Sequence, residues 1–159
     1  MNLRQGSVFM ENTGFTPIKI HLHTEISQDG ETENFEIISF GRYYEKNGSQ
    51  FITYEEVTES GKIKNVIKIS NNQVLIMRNG AINMRFSLQK GVKTEGSFEN
   101  QYGSFPLILN TNKIYFDWDK ERQEGELLFS YELYMQHEVV GIYTLSFQLK
   151  KEETINEYC

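Results

Sequence analysis

Apolar and polar side chains alternate one by one along much of this chain. Ile18, Ile20, Leu22 and Ile26 share one side of a segment whose other side carries Lys19, His21, His23 and Glu25. Ile82, Met84, Phe86 and Leu88 alternate with Asn83, Arg85, Ser87 and Gln89, and the same rhythm runs from Leu127 to Met135 and from Tyr143 to Leu149. Residues two apart share a face only in extended backbone, so these segments are strands with one buried and one wet side. Composition agrees: alanine, the best helix former, occurs once, at Ala81, whereas 11 Phe and 9 Tyr favour strands.

Turn chemistry separates the strands. Asp29-Gly30, Asn47-Gly48 and Asn79-Gly80 are strong hairpin signals, because both residues of each pair tolerate positive φ. Ser60-Gly61, Asn71-Asn72 and Tyr102-Gly103 are weaker ones. The predicted strands are 16–27, 33–45, 50–58, 62–70, 73–79, 81–90, 93–99, 104–118 with a break near Asn110, 125–137 and 139–150. Only 117–125 leaves room for a helical turn. About ten strands joined by short loops pair with their nearest neighbours. Left open, such a sheet exposes two edges and an apolar face; closed on itself, it hides both. A sandwich is the competing solution, but it needs longer crossing connections. The expected fold is therefore a single closed antiparallel meander barrel of about 8–10 strands over 16–150, with a flexible N-terminal arm at 1–15 and a C-terminal tail at 151–159.

At 159 residues the chain has the length of one domain. Its net charge of −6 speaks against unaided nucleic-acid binding, which rests on neutralising phosphates with Lys and Arg. The lone cysteine, Cys159, allows no internal disulfide and no cysteine metal site. No apolar stretch approaches the ~18 residues of a membrane span, and the first residues lack the apolar core of a secretory signal. The expectation is a cytoplasmic protein without membrane or nucleic-acid partners.

Several short motifs follow one another along the chain: Phe40-Gly41-Arg42-Tyr43-Tyr44, Tyr54-Glu55-Glu56, Lys62-Ile63-Lys64, Met77-Arg78-Asn79-Gly80-Ala81, Met84-Arg85-Phe86, Gly91, Tyr102-Gly103, and the run from Gly125 to Leu133. In order and spacing this set resembles the YwiB-like family of small bacterial proteins of unknown function, across roughly residues 16 to 150. The family more often has Thr-Pro where this chain has Asn100-Gln101, just ahead of the Tyr-Gly pair. The resemblance implies a calycin-like barrel, the architecture of lipocalins and fatty-acid-binding proteins. It implies no activity, substrate or catalytic residue, and architecture alone is a weak guide to function.

The residues offer a few chemical candidates. His21 and His23 lie two apart on a strand and project to the same side, so both imidazoles can reach one ion, with Glu25 or His137 to complete the set. Lys19 and Glu25 on the same face mark it as solvated, and no third-ligand motif accompanies the pair; no metal or other cofactor is expected. Among the arginines, Arg85 falls on the polar side of Met84 and Phe86. Arg78 follows Val74 and Ile76 on one face and is expected to point inward near a barrel end. Arg42 shares a face with Ile38, Phe40 and Tyr44 and is the leading inward candidate. An inward guanidinium can hold a carboxylate through paired hydrogen bonds. Adjacent carboxylates such as Glu55-Glu56 project to opposite faces and cannot flank one bond as acid and base. No nucleophile elbow or phosphate loop is present.

The functional expectation is a non-enzymatic binding module for a small, partly apolar or carboxylate ligand. Arg42, Arg78 and Tyr54 supply the polar anchors in this reading, and Phe40 and Tyr44 the apolar wall. The alternative is a protein-interaction or structural barrel with a filled interior, acting through its outer face, as in a homodimer. Bulky inward residues favour a small pocket or none.

Overall fold

Ten strands build the protein: β1 (Phe15–Gln28), β2 (Glu31–Lys46), β3 (Ser49–Thr58), β4 (Gly61–Ser70), β5 (Gln73–Gly80), β6 (Asn83–Gln89), β7 (Lys93–Asn100), β8 (Gly103–Asp119), β9 (Glu124–Met135) and β10 (Glu138–Lys151). The computed structural model describes residues 14–152. Each strand lies within two residues of the bounds that alternation predicts. Every strand pairs antiparallel with its neighbour in sequence, and β10 returns to β1, so the sheet closes into a barrel. The expected break in β8 is a register shift between Thr111 and Lys113. The arm and the tail expected from sequence fall, but for their innermost residues, outside the described residues.

One local expectation is met and one changes. The segment predicted to leave room for a helical turn holds a single one, a four-residue connection closed by the Gln123 amide donating to the Asp119 carbonyl at 2.7 Å. The Asp119 carboxylate accepts from the Glu121 and Arg122 amides and caps it. Asn79-Gly80 is not the turn between β5 and β6, because both residues remain in β5 and the chain reverses at Ala81 and Ile82. Gly80 has φ +138°, and a Cβ there would run into the Lys62 carbonyl, so glycine serves a close strand approach instead. Asp29-Gly30 and Asn47-Gly48 do form the predicted turns, with both residues of each pair at positive φ.

Strand direction gives the barrel two unlike ends. One end carries the turns β2–β3, β4–β5, β6–β7 and β8–β9. It is plugged by Ile18, Ile20, Ile52, Leu88 and Leu127, all fully buried, and by Tyr43 stacked on Trp118 with ring centroids 3.9 Å apart. The other end carries the β1–β2, β3–β4, β5–β6, β7–β8 and β9–β10 turns, and there the ladder is incomplete. β2 pairs with β1 from Glu31 to Tyr44 but with β3 only from Gly41 to Lys46. Residues 31–40 thus have one neighbouring strand and a free edge. Gly41 sits where β2 and β3 part: a Cβ there would run into the Thr53 carbonyl oxygen. Only a glycine lets the two backbones cross this closely before they diverge.

Candidate functional site

Divergence of β2 from β3 leaves a space inside the open half of the barrel. This cavity holds about 470 Å³, enough for a ligand of a dozen or more heavy atoms and within the ordinary range of small-molecule sites. Its wall is mostly apolar and aromatic, with Phe86, Phe129, Tyr131, Tyr143 and Phe147 on the far side and Phe35 and Ile37 of β2 beside the opening. Tyr131 and Tyr143 are stacked with centroids 5.4 Å apart and rings within 2° of parallel, and Phe86 meets Tyr131 edge-on.

One polar cluster interrupts this wall. Tyr54 and Glu56 lie two apart on β3 and face inward together, while Asn65 on β4 pairs in register with Tyr54 on one side and Arg78 of β5 on the other. The Arg78 guanidinium meets Glu56 at 2.7 Å and donates through Nε to Asn65 Oδ1 at 2.9 Å. Asn65 Nδ2 donates to the same Glu56 oxygen at 2.9 Å, closing a three-residue ring of hydrogen bonds. About a quarter of each charged side chain remains exposed, so the pair is screened less than a surface ion pair but is not dry. Burial pushes the Tyr54 phenol well above its ordinary range; Glu56 adds to that shift and Arg78 opposes it. Burial likewise raises Tyr131, with Tyr143 adding and Arg78 opposing. Both phenols therefore stay protonated at neutral pH.

The sequence-predicted residues divide. Arg78 and Tyr54 line the cavity, as expected. Arg42, Phe40 and Tyr44 do not point inward. Directly paired residues of adjacent strands point to the same face of a sheet, and Ile18 and Ile20, both fully buried, pair with Gly41 and Ser39. The inward set of β2 is therefore Phe35, Ile37, Ser39, Gly41 and Tyr43, which puts the even-numbered residues outside. Arg42 lies over the Phe15 ring at 4.4 Å, Tyr44 stacks on Phe51, and Phe40 is 57% exposed. The sequence misleads here because both sides of β2 are apolar: Ile37 is followed by Ile38, and Tyr43 by Tyr44.

His21 and His23 lie on the outer face, across from Glu36 at 3.4 and 3.9 Å, and His23 Nε2 is 2.8 Å from Asn34 Oδ1. His137 sits in the β9–β10 turn, eleven positions along from the residue paired with His21, a span of about 36 Å. No group of three His, Cys, Asp or Glu among the described residues is placed to hold a metal ion. Asn65 has no place in the sequence analysis, and Glu56 enters it only within the motif Tyr54-Glu55-Glu56 and as half of the adjacent pair Glu55-Glu56, set aside as an acid–base couple. The available signal was a polar residue inside the run Ile63, Asn65, Ile67, Ile69, where every other member is buried and apolar.

Comparison with known proteins fits this geometry. The chain is 30% identical over 131 residues to the uncharacterized beta-barrel protein YwiB of Bacillus subtilis (strain 168), covering 82% of this chain and 91% of that protein. The crystal structure of the ywiB protein from Bacillus subtilis superposes with a TM-score of 0.80 at 26% identity, over 91% of this chain and 99% of that one. A family model described as a domain of unknown function, DUF1934, matches residues 20–147. Because that match spans most of the barrel, from β1 to β10, the chain belongs to the DUF1934 family of β-barrel proteins.

Proposed function

We propose that this protein is a non-enzymatic binding module that holds one small, partly apolar molecule in the open half of its barrel, in the manner of a calycin. The carrying observation is the roughly 470 Å³ cavity, walled by apolar and aromatic side chains and broken by a single polar cluster. Apolar surface supplies affinity in such a site and a few convergent polar groups fix orientation. Arg78 and Tyr54 remain the polar anchors in this reading, joined by Glu56, Asn65 and Tyr131. His21 and His23 face solvent, where Glu36 and Asn34 hold them, and take no part in the site. The outer face carries Lys62, Lys64, Arg85, Glu126 and Lys150, all exposed; this supports an aqueous setting over a lipid-facing barrel, whose exterior is an apolar band. A reducing, cytoplasmic setting suits a chain with one cysteine.

The test is a fluorescence titration with the uncharged probe N-phenyl-1-naphthylamine, together with mass spectrometry of an organic extract of the purified protein. Saturable binding is expected at about one probe per chain, lost in Ile67→Trp, whose indole fills the cavity. Absence of saturable binding, or undiminished binding by a folded Ile67→Trp variant, refutes the reading.

A second reading, an interaction barrel acting through its outer face, draws on a different observation. Ile38 and Phe40 are 56% and 57% exposed on the outer side of the ten-residue segment of β2 with a free edge. Sedimentation at several concentrations tests it. A dimer that dissociates in Ile38→Lys supports it; a monomer at all concentrations removes self-association as its basis.

A further inference from the structure

An arginine in the wall of a greasy cavity invites the reading that the ligand is a carboxylate. The surroundings of Arg78 argue otherwise. Glu56 already occupies the guanidinium at 2.7 Å, so the cluster of Arg78, Glu56, Asn65, Tyr54 and Tyr131 carries no net charge. A ligand carboxylate reaching Arg78 must either displace Glu56 or sit beside it, and two like charges a few ångströms apart in a half-desolvated site repel strongly. The whole protein, at −6, adds to that repulsion. Among the described residues that line the cavity, Arg78 is the only Lys, Arg or His.

The bonding within the cluster leaves particular atoms available. Glu56 uses Oε1 for both Arg78 and Asn65, so its Oε2 has no partner among the described residues. Arg78 uses Nε and Nη2, so its Nη1 has none either. One acceptor and one donor of the same ion pair therefore remain available. Two neutral phenols, Tyr54 and Tyr131, line the same space, and neither has a hydrogen-bond partner among the described residues. A group that presents a donor next to an acceptor satisfies such a pair without bringing charge into the cavity.

We propose that the cavity selects an uncharged ligand with an apolar body and a head group of the amide type, an N–H beside a C=O, over the corresponding carboxylate. The inference rests on the reading of the cavity as a ligand site and goes further by assigning the head-group chemistry. Glu56 is its selectivity determinant. With the carboxylate present, the head group donates to Glu56 and accepts from Arg78. With the carboxylate neutralised, the same guanidinium becomes an anion site.

The experiment competes decanamide, decan-1-ol and decanoate against bound N-phenyl-1-naphthylamine at about pH 8, where decanoate is ionised. The wild-type protein is expected to release the probe at a decanamide concentration at least about tenfold below that of decanoate, with decan-1-ol between them. Glu56→Gln, checked for fold by circular dichroism, is expected to reverse the order. If decanoate competes as well as decanamide on the wild-type protein, or if a folded Glu56→Gln variant keeps the wild-type order, the inference is overturned while the cavity reading stands. Should the probe bind in the cavity and none of the three displace it, the head-group assignment falls. If the probe itself does not bind, the cavity reading fails and this inference falls with it. The wild-type comparison decides the matter even where the variant does not fold.

Discussion

The two ends of this barrel are made from the same strands and the same kinds of side chain, yet only one is solid. At the closed end the ladder lapses only briefly, where β6 and β7 stop pairing at Phe86 and Gly96, and Ile18, Ile20, Leu88 and Leu127 are buried with no exposed surface. At the open end β2 leaves β3 after Gly41, and the lining residues Tyr54, Tyr131, Leu133 and Ile76 keep 5 to 9% of their surface, because a space rather than another side chain faces them. The difference lies in the ladder, not in hydrophobicity. The short gap at the end of β6 leaves the walls together; the long unpaired stretch of β2 holds them apart.

Mutations should separate the two ends, most sharply at the plug. Leu127→Ala opens a void where none exists and is expected to cost about 2–5 kcal/mol of folding free energy, read from denaturant midpoints. Leu133→Ala enlarges a space already present and should cost less than half as much; equal costs for the two would mean that the open end is as tightly packed as the plug. Gly41→Val tests the point of divergence. Its side chain meets the Thr53 carbonyl, and a loss of about 1–3 kcal/mol is expected; a neutral outcome would show that β2 and β3 need not cross so closely. Arg78→Met removes two charge-assisted hydrogen bonds and leaves Glu56 partly buried without its cation, for about 1–3 kcal/mol. A fourth expectation concerns alkaline pH. Tyr54 and Tyr131 are held above the ordinary value of 10.0 mainly by burial, so the folded state keeps protons that the unfolded chain releases. Stability should be flat to about pH 9 and fall as pH rises beyond 10, with tyrosinate absorbance growing as the protein unfolds. The smallest effect belongs to Ile38→Thr and Phe40→Thr on the outer face of β2, within about 0.5 kcal/mol of wild type; a larger loss would mean that this strip is covered in solution.

Most of the architecture was legible because alternation depends on local sequence alone. The pattern of Leu127 to Met135 or of Tyr143 to Leu149 admits only one buried face, and short loops admit only nearest-neighbour pairing. Gly80 shows the limit of local reading: the dipeptide Asn79-Gly80 has the chemistry of a turn, but its use was decided by the Lys62 carbonyl on the next strand. The candidate site was half legible for the same reason. Arg78 and Tyr54 sit on strands with one clear inward face. Arg42 sits on a strand that is apolar on both sides, and only its register against Ile18 and Ile20 tells inside from outside. Glu56 became meaningful only through Asn65, a residue that joins strands rather than marking a motif.

The bare flank of β2 has a further consequence. A ten-residue edge on which every second residue turns its amide and carbonyl away from β1, flanked by Phe35, Ile37, Ile38 and Phe40, is the kind of margin along which proteins fuse into fibrils. Glu31 and Glu33, on the same side as Phe35, and Glu36 on the reverse side put negative charge along that margin, so a second molecule aligning there brings carboxylate against carboxylate. These acids act as gatekeepers: neutralising all three should turn a well-behaved protein into one that clumps on standing, with its fold intact at the start.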